Sequence, residues 1–250
     1  MRPPPRRGTA GDATIAAVAE PETPAAPFAT AFTLALPHGR CVGVALPPEW
    51  DARADTALAE LAPAARAHAA GLAPRRRLTW VGGRLALGRA AAALGAAAGA
   101  LLPDAAGAPQ LAAGLVGSVS HKTELAVALL DRADGWSRGV DLEALAPPRE
   151  RIARRVLTEA ERAGVDALAP AARWEAILLR FSLKEALYKA LHPFVRRYVG
   201  FLEAELAPEA DGSCAAALRL TGGEGPFVVE GRWLRRGDWL LTTCRVRRPG

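Results

Sequence analysis

The stretch Phe181-Ser-Leu-Lys-Glu-Ala-Leu-Tyr-Lys-Ala-Leu191 places two lysines around a glutamate within one and a half helical turns. Of the 32 Lys+Arg residues in the chain, only Lys122, Lys184 and Lys189 are lysine, so this stretch holds two of the three. Lysine is a compact ammonium that can release its proton, which arginine in practice does not. On a helix Glu185 and Lys189 lie about 40° apart, with Lys184 about 100° to the other side. One face then offers a carboxylate flanked by cations, an arrangement that suits an anionic substrate and a proton transfer. The same spacing also makes an ordinary i,i+4 surface pair, worth roughly a few tenths of a kcal/mol. Other residues have to separate the two readings.

Asp141-Leu-Glu143 is the next candidate. Residues two apart on a strand face the same side, so both carboxylates can address one point. Hard oxygen ligands of this kind suit Mg²⁺, which keeps water and phosphate in its remaining positions; a solvated acidic strand end is the plainer alternative. Glu185 would supply a third carboxylate from the helix. Ser120-His121 ends a short apolar run, Gly114–His121. That run lacks the G-x-S-x-G elbow of a serine hydrolase. Walker A and G-x-G-x-x-G sequences are absent as well. Arg75, Arg76, Arg77 and Arg84 either clamp phosphates by paired hydrogen bonds or form the solvated side of a helix.

The elements that would position these groups follow from periodicity and turn residues. Residues 1 to about 27 are Pro-, Ala- and Gly-rich without periodicity and read as a mobile tail. Phe28–Leu36 and Arg40–Leu46 form a hairpin around Pro37-His38-Gly39. Asp51–Leu72 is helical with a break at Pro63, and Arg75–Ala98 is a long helix. Strands are expected over Gly114–His121, Glu124–Leu130 and Arg138–Leu142. Helices are expected over Arg149–Arg155, Thr158–Ala167 and Pro170–Leu191. Thr158 with Glu161 three residues later makes a capping box. Strand-like segments near 198–206, 214–220, 226–235 and 238–247 close the chain. The order β, α, β occurs twice, which predicts two α/β lobes, 28–138 and 139–250, meeting near residue 138.

Composition bounds the function. Hydrophobic residues make up 50 % and charged residues 23 % of 250, as in a globular chain with a real core. Net charge is +6 with a pI near 9.9, which favours polyanionic partners. Cys41, Cys214 and Cys244 form neither a zinc spacing nor a disulfide framework, which suits a reducing cytoplasm. The most apolar run, Ala90–Leu102, is shorter than the roughly 18 residues of a membrane span.

Three blocks in order, Gly117-Ser-Val-Ser-His121, Gly139-Val-Asp-Leu-Glu143 and Phe181–Lys189, resemble the 4′-phosphopantetheinyl transferases of the surfactin and enterobactin-synthetase kind. A fourth, Arg77-Leu-Thr-Trp-Val-Gly-Gly-Arg84, is similar to the R-x-x-x-F-x-x-G-R helix of the enterobactin branch, as is Val195–Glu205. The resemblance implies a pseudo-dimer of two similar α/β lobes with coenzyme A and the active site between them. It implies Mg²⁺-dependent transfer of phosphopantetheine to a carrier-protein serine, releasing adenosine 3′,5′-bisphosphate. By motif position it implies a metal set of Asp141, Glu143 and Glu185, with Glu185 also the base for the serine and Lys189 neutralising the leaving phosphate. Lys184, Ser120, His121, Arg77 and Arg84 would contact coenzyme A, with His121 and Arg77 at its 3′-phosphoadenosine end. Two departures stand out. Pro109–Gly114 lacks a lysine or tryptophan for the adenine, and Lys189-Ala-Leu-His192 lacks the glycine of the surfactin branch.

The implied partners are an apo acyl, polyketide or peptidyl carrier protein, tilted toward siderophore or polyketide secondary metabolism, with a monomer sufficient. Two rivals stand: a Mg²⁺-dependent phosphohydrolase using the same carboxylates and cations, and an arginine-rich nucleic-acid binder suggested by the pI and the arginines at 75–77. Against the second, no nucleic-acid motif is present and few aromatics interleave with the arginines.

Overall fold

The computed structural model describes residues 26–250, so the expected tail over 1–27 lies almost wholly outside the described residues. Strands β1 (Thr30–Leu36) and β2 (Gly39–Ala45) form the hairpin, with Leu36 opposite Gly39. Three helices follow: α1 (Ala52–Ala57), α2 (Pro63–Ala70) and α3 (Pro74–Ala93). Proline opens α2 and α3, where its fixed φ fits and its missing N–H costs nothing. Strands β3 (Leu115–His121) and β4 (Leu125–Arg132) complete one sheet, and β5 (Ser137–Ala144) begins the other. Helices α4 (Ala153–Val156), α5 (Glu159–Asp166) and α6 (Pro170–Val195) precede β6 (Ala204–Pro208), β7 (Ser213–Leu218), β8 (Val228–Arg236) and β9 (Trp239–Arg247).

Several boundaries depart from the sequence reading. The α3 helix stops at Ala93 rather than Ala98, because Gly95 turns to φ +64°. The α6 helix runs four residues past Leu191 and ends where Arg196 enters the left-handed region. The strand expected over 198–206 begins only at Ala204. Before it, Phe201–Glu203 is a tight 3₁₀ turn, closed by the Gly200 N–H donating to the Glu203 carboxylate. The Thr158–Glu161 capping box at α5 forms as expected.

Both sheets are antiparallel, with strand orders β1-β2-β4-β3 and β5-β9-β8-β7-β6. Within them one layout occurs twice. Strand β2, helix α3 and hairpin β3–β4 order as β2-β4-β3, and strand β5, helix α6 and hairpin β8–β9 order as β5-β9-β8. The molecule is therefore an α/β fold of two similar lobes, as expected.

Alternation along β4 explains the layering. Ala126, Ala128 and Leu130 face α3, while Leu125, Val127 and Leu129 join Val140, Leu142 and Leu241 of the other sheet. A strand buried on both faces reads as a continuous apolar run, and β4 does. A separate core of α6 residues, including Leu183, Ala186, Leu187 and Ala190, covers the second sheet. The layers run helix, sheet, sheet, helix.

One contact decides where the chemistry sits. A Cβ at Gly139 would lie 1.8 Å from the Ala186 carbonyl oxygen, so only glycine lets β5 press against α6. That approach brings the residues just beyond Gly139 onto the helix face bearing Ser182 and Lys189.

Candidate active site at the junction of the two lobes

Asp141 is the point on which three elements converge. It is 4 % exposed. Its Oδ1 accepts from Ser120 Oγ of β3 and Lys189 Nζ of α6, both at 2.8 Å, and its Oδ2 accepts from Ser182 Oγ at 2.9 Å. Lys189 also donates to the Val140 carbonyl at 2.9 Å. A buried carboxylate needs this much pairing, since an unpaired one would be strongly disfavoured.

Glu143, two residues on, accepts from Lys122 Nζ at 2.5 Å. Burial and then repulsion from Asp141 push the Glu143 carboxyl above its ordinary range, with Lys122 partly offsetting both. Glu185 is half-buried and has no hydrogen-bonding or ion-pair partner among the described residues. Burial, then the Asp141 charge, raise its pKa, while Lys189 and Lys122 pull it back. A carboxylate with a raised pKa and free lone pairs is a better proton acceptor than an ordinary surface glutamate.

The cationic side of the junction comes from α3 and the end of β3. Arg76 Nη1 donates to His121 Nε2 at 3.1 Å. Since a guanidinium can only donate, Nε2 is the accepting nitrogen and the imidazole is neutral. Burial, followed by Arg76, Lys189 and Lys122, lowers the His121 pKa to about 4. Arg84 is buried. Its Nε donates to the Leu101 carbonyl at 2.7 Å, its guanidinium lies 4.6 Å from the Trp80 ring centre, and its Nη2 has no partner among the described residues. Burial and the nearby Arg76 charge bring its pKa down to about 10.

Two expected contacts move. Arg77 does not join His121: its guanidinium lies 3.8 Å from the Trp50 ring centre and 3.8 Å from Asp55. One residue along a helix turns the side chain by about 100°, and Arg76 takes the place at His121. The signal was present in the spacing. Laid back from Gly83-Arg84 and Trp80, the nine-residue R-x-x-x-F-x-x-G-R pattern begins at Arg76.

Lys184 is not at the junction either. It is fully buried, and its ammonium donates to Glu161 Oε2, the Val156 carbonyl and the Phe201 carbonyl at 2.7–2.9 Å. All three donors of the ammonium are used, so none remains for a phosphate. Lys122, to which the sequence reading assigned no role, stands in the site instead.

Among the described residues, no group of three or more His, Cys, Asp or Glu side chains is arranged to hold a metal ion. Two of the three expected carboxylates are engaged by ammonium groups, Lys189 on Asp141 and Lys122 on Glu143. The donor chemistry still suits a hard divalent cation. The Asp141 charge helps raise the pKa of both Glu143 and Glu185, and three carboxylates face two ammoniums, so negative charge remains uncompensated. A cavity of about 620 Å³ lined by Arg151, Arg154, Arg162 and Arg173 lies on the α4–α5 side and contains none of these residues.

Known proteins match along most of the chain. The profile of the 4'-phosphopantetheinyl transferase superfamily matches residues 137–244, and that of the 4'-phosphopantetheinyl transferase N-terminal domain matches residues 63–131. The 4'-phosphopantetheinyl transferase Svp of Streptomyces mobaraensis is 33 % identical over 206 residues, 78 % of this chain and 82 % of Svp. The 4'-phosphopantetheinyl transferase Npt of Nocardia iowensis is 30 % identical over 182 residues, 67 % of this chain and 81 % of Npt. Among solved structures, the Chronobacterium ammoniagenes ACPS-CoA complex is 23 % identical with a TM-score of 0.39, covering 47 % of this chain and 100 % of its own.

Proposed function

The chain belongs to the 4'-phosphopantetheinyl transferase superfamily, and from that premise we propose that it transfers the phosphopantetheine arm of coenzyme A to a serine of an apo carrier protein. The observation that carries this reading is the junction itself. A half-buried Glu185, without a partner among the described residues, stands with Asp141, Glu143 and Lys189, and the Arg76–His121 pair lies within reach of the Lys189 and Asp141 charges.

Glu185 takes the proton of the incoming serine hydroxyl, which is a poor nucleophile at neutral pH without a base. The serine oxygen bonds to the pantetheine-side phosphorus as the bond from that phosphorus to the bridging oxygen breaks. The leaving group is adenosine 3′,5′-bisphosphate. Lys189, held by Asp141 and Val140, stands ready to neutralise the charge that develops on it. Arg76 and neutral His121 receive the adenosine-side phosphates. Asp141, Glu143 and Glu185 would hold Mg²⁺, which when bound supplies positive charge to the pyrophosphate oxygens.

In this reading lobes 28–138 and 139–250 form the two walls of the coenzyme A cleft. The repeated strand–helix–hairpin layout supports one chain supplying both walls, so a monomer suffices. The carriers are those of siderophore or polyketide assembly in the cytoplasm. The resemblance of Arg76–Arg84 and Val195–Glu205 to the enterobactin branch supports that choice.

The test is the intact mass of apo acyl, polyketide and peptidyl carriers after incubation with the enzyme, coenzyme A and Mg²⁺. A gain of one phosphopantetheine, abolished by EDTA, is expected. Hydrolysis of coenzyme A without any gain on a carrier would replace the transferase with the phosphohydrolase.

A further inference from the structure

We infer that Lys122 is a resident counter-cation of the carboxylate cluster, holding Glu143 when metal is absent and competing with divalent metal for it. Lys122 is then a positioning residue that sets the metal affinity of the site. The inference rests on the transferase reading of that site.

Three observations carry it. The first is the reach of the side chain. The Lys122 backbone N–H bonds the Leu125 carbonyl at 2.8 Å, closing the β3–β4 turn in the first sheet. Its ammonium nonetheless spans to Glu143 of the second sheet, a charge-assisted hydrogen bond.

The second is the charge balance. Asp141, Glu143 and Glu185 present three negative charges, and Lys122 and Lys189 two positive ones. A divalent ion would raise the positive total to four, one more than the three carboxylates supply, so the ion and the resident ammoniums compete for the same oxygens.

The third is which of the two is easier to release. Lys189 is tied to both Asp141 and the Val140 carbonyl, with its side chain 30 % exposed. Among the described residues the Lys122 ammonium has Glu143 as its single acceptor, and its side chain is 35 % exposed. A lysine stem is flexible and its head a strongly hydrated point charge, so withdrawal to water costs little compared with breaking an arginine fork. Lys122 is the ammonium that leaves.

Direct binding of Mn²⁺ to the full-length protein, followed by electron paramagnetic resonance with and without saturating coenzyme A, tests this. The proteins compared are wild type, Lys122→Met and Lys122→Arg. The apolar variant, similar in length, is expected to bind Mn²⁺ about tenfold more tightly, the effect of losing one partly screened competing charge. The arginine variant, which keeps the charge, should bind no more tightly than wild type. Equal or weaker binding by Lys122→Met, with an unchanged melting temperature, would overturn the inference and leave Lys122 a tether between the sheets. Absence of Mn²⁺ binding by every protein would overturn it together with the metal reading. The transfer reading is judged separately, by the carrier mass.

Discussion

At the junction Glu185, without a partner among the described residues, lies beside a buried, hydrogen-bonded aspartate. Asp141 accepts from Ser120, Ser182 and Lys189, three of the roughly four acceptor positions of a carboxylate, whereas Glu185 accepts from no group among the described residues. Glu185→Gln should therefore lose nearly all transfer while keeping an unchanged circular-dichroism spectrum and melting temperature. Lys189→Ala should lower kcat by about a hundredfold with a smaller change in coenzyme A affinity, since its charge matters most as the leaving group departs. Arg76→Ala should weaken coenzyme A binding measured by calorimetry more than Arg77→Ala, because Arg76 rather than Arg77 stands at His121. Lys184 belongs to a different problem. Removing its ammonium leaves Glu161 buried without its counter-charge, so Lys184→Ala should cost about 3–5 kcal/mol in urea unfolding. Coenzyme A affinity of the folded fraction should stay close to wild type.

At the level of elements, the site depends on how closely β5 lies against α6. Gly139→Ala forces a methyl into the Ala186 carbonyl, where backbone rather than a flexible side chain must yield. It should destabilise the protein by about 3 kcal/mol or more. Gly164→Ala makes a sharp contrast. That glycine lies within α5 with no atom within 4 Å of an added Cβ. Alanine there should stabilise by about 0.5–1 kcal/mol through helix propensity. Urea midpoints of the two variants moving in the same direction would contradict this account of the packing.

Across the whole molecule, the lobes are also joined at the other end of β5. His38 Nδ1 shares a hydrogen bond of 2.9 Å with Thr243 Oγ1, and buried Arg138 donates to the His38 carbonyl, Asp131 and Asp134. Arg138 and Glu143 are five residues apart, about 16 Å along a strand, so this junction supports the site without touching it. Burial, then the charge of Arg245, lowers the His38 pKa from 6.5 to about 4. The unfolded chain binds a proton below pH 6.5 that the folded chain refuses until about pH 4. The contribution is therefore fully present above pH 6.5 and is lost as pH falls toward 4, about 3 kcal/mol in all. His121 acts in the same direction, while the raised carboxyls of Glu143 and Glu185 act oppositely. Comparing urea midpoints at pH 7.5 and 5 for wild type and His38→Gln isolates the His38 share, and the variant should show the shallower loss.

Local chemistry was legible without coordinates. The hairpin at Pro37-His38-Gly39, the capping box at Thr158 and the prolines opening helices are written in adjacent residues. So are the three motif blocks, because a strand or helix face has a fixed period and the chemistry needs particular residue types on it. Within the last block, however, sequence separation misled: Lys184 and Lys189 look alike along the helix, yet one is in the core and the other in the cleft. Five residues on a helix span about 500° of rotation, and which side faces the core depends on α5 and β6, elements distant in sequence. Lys122 was invisible as a site residue for the same reason, since its partner Glu143 lies 21 residues away in another sheet. Periodicity and turn chemistry act between neighbours in the chain. The ion pairs that assign each cation its role form only on packing: the close approach of Gly139 to Ala186 brings Lys189 to Asp141, and the apolar layer between the sheets brings Lys122 to Glu143.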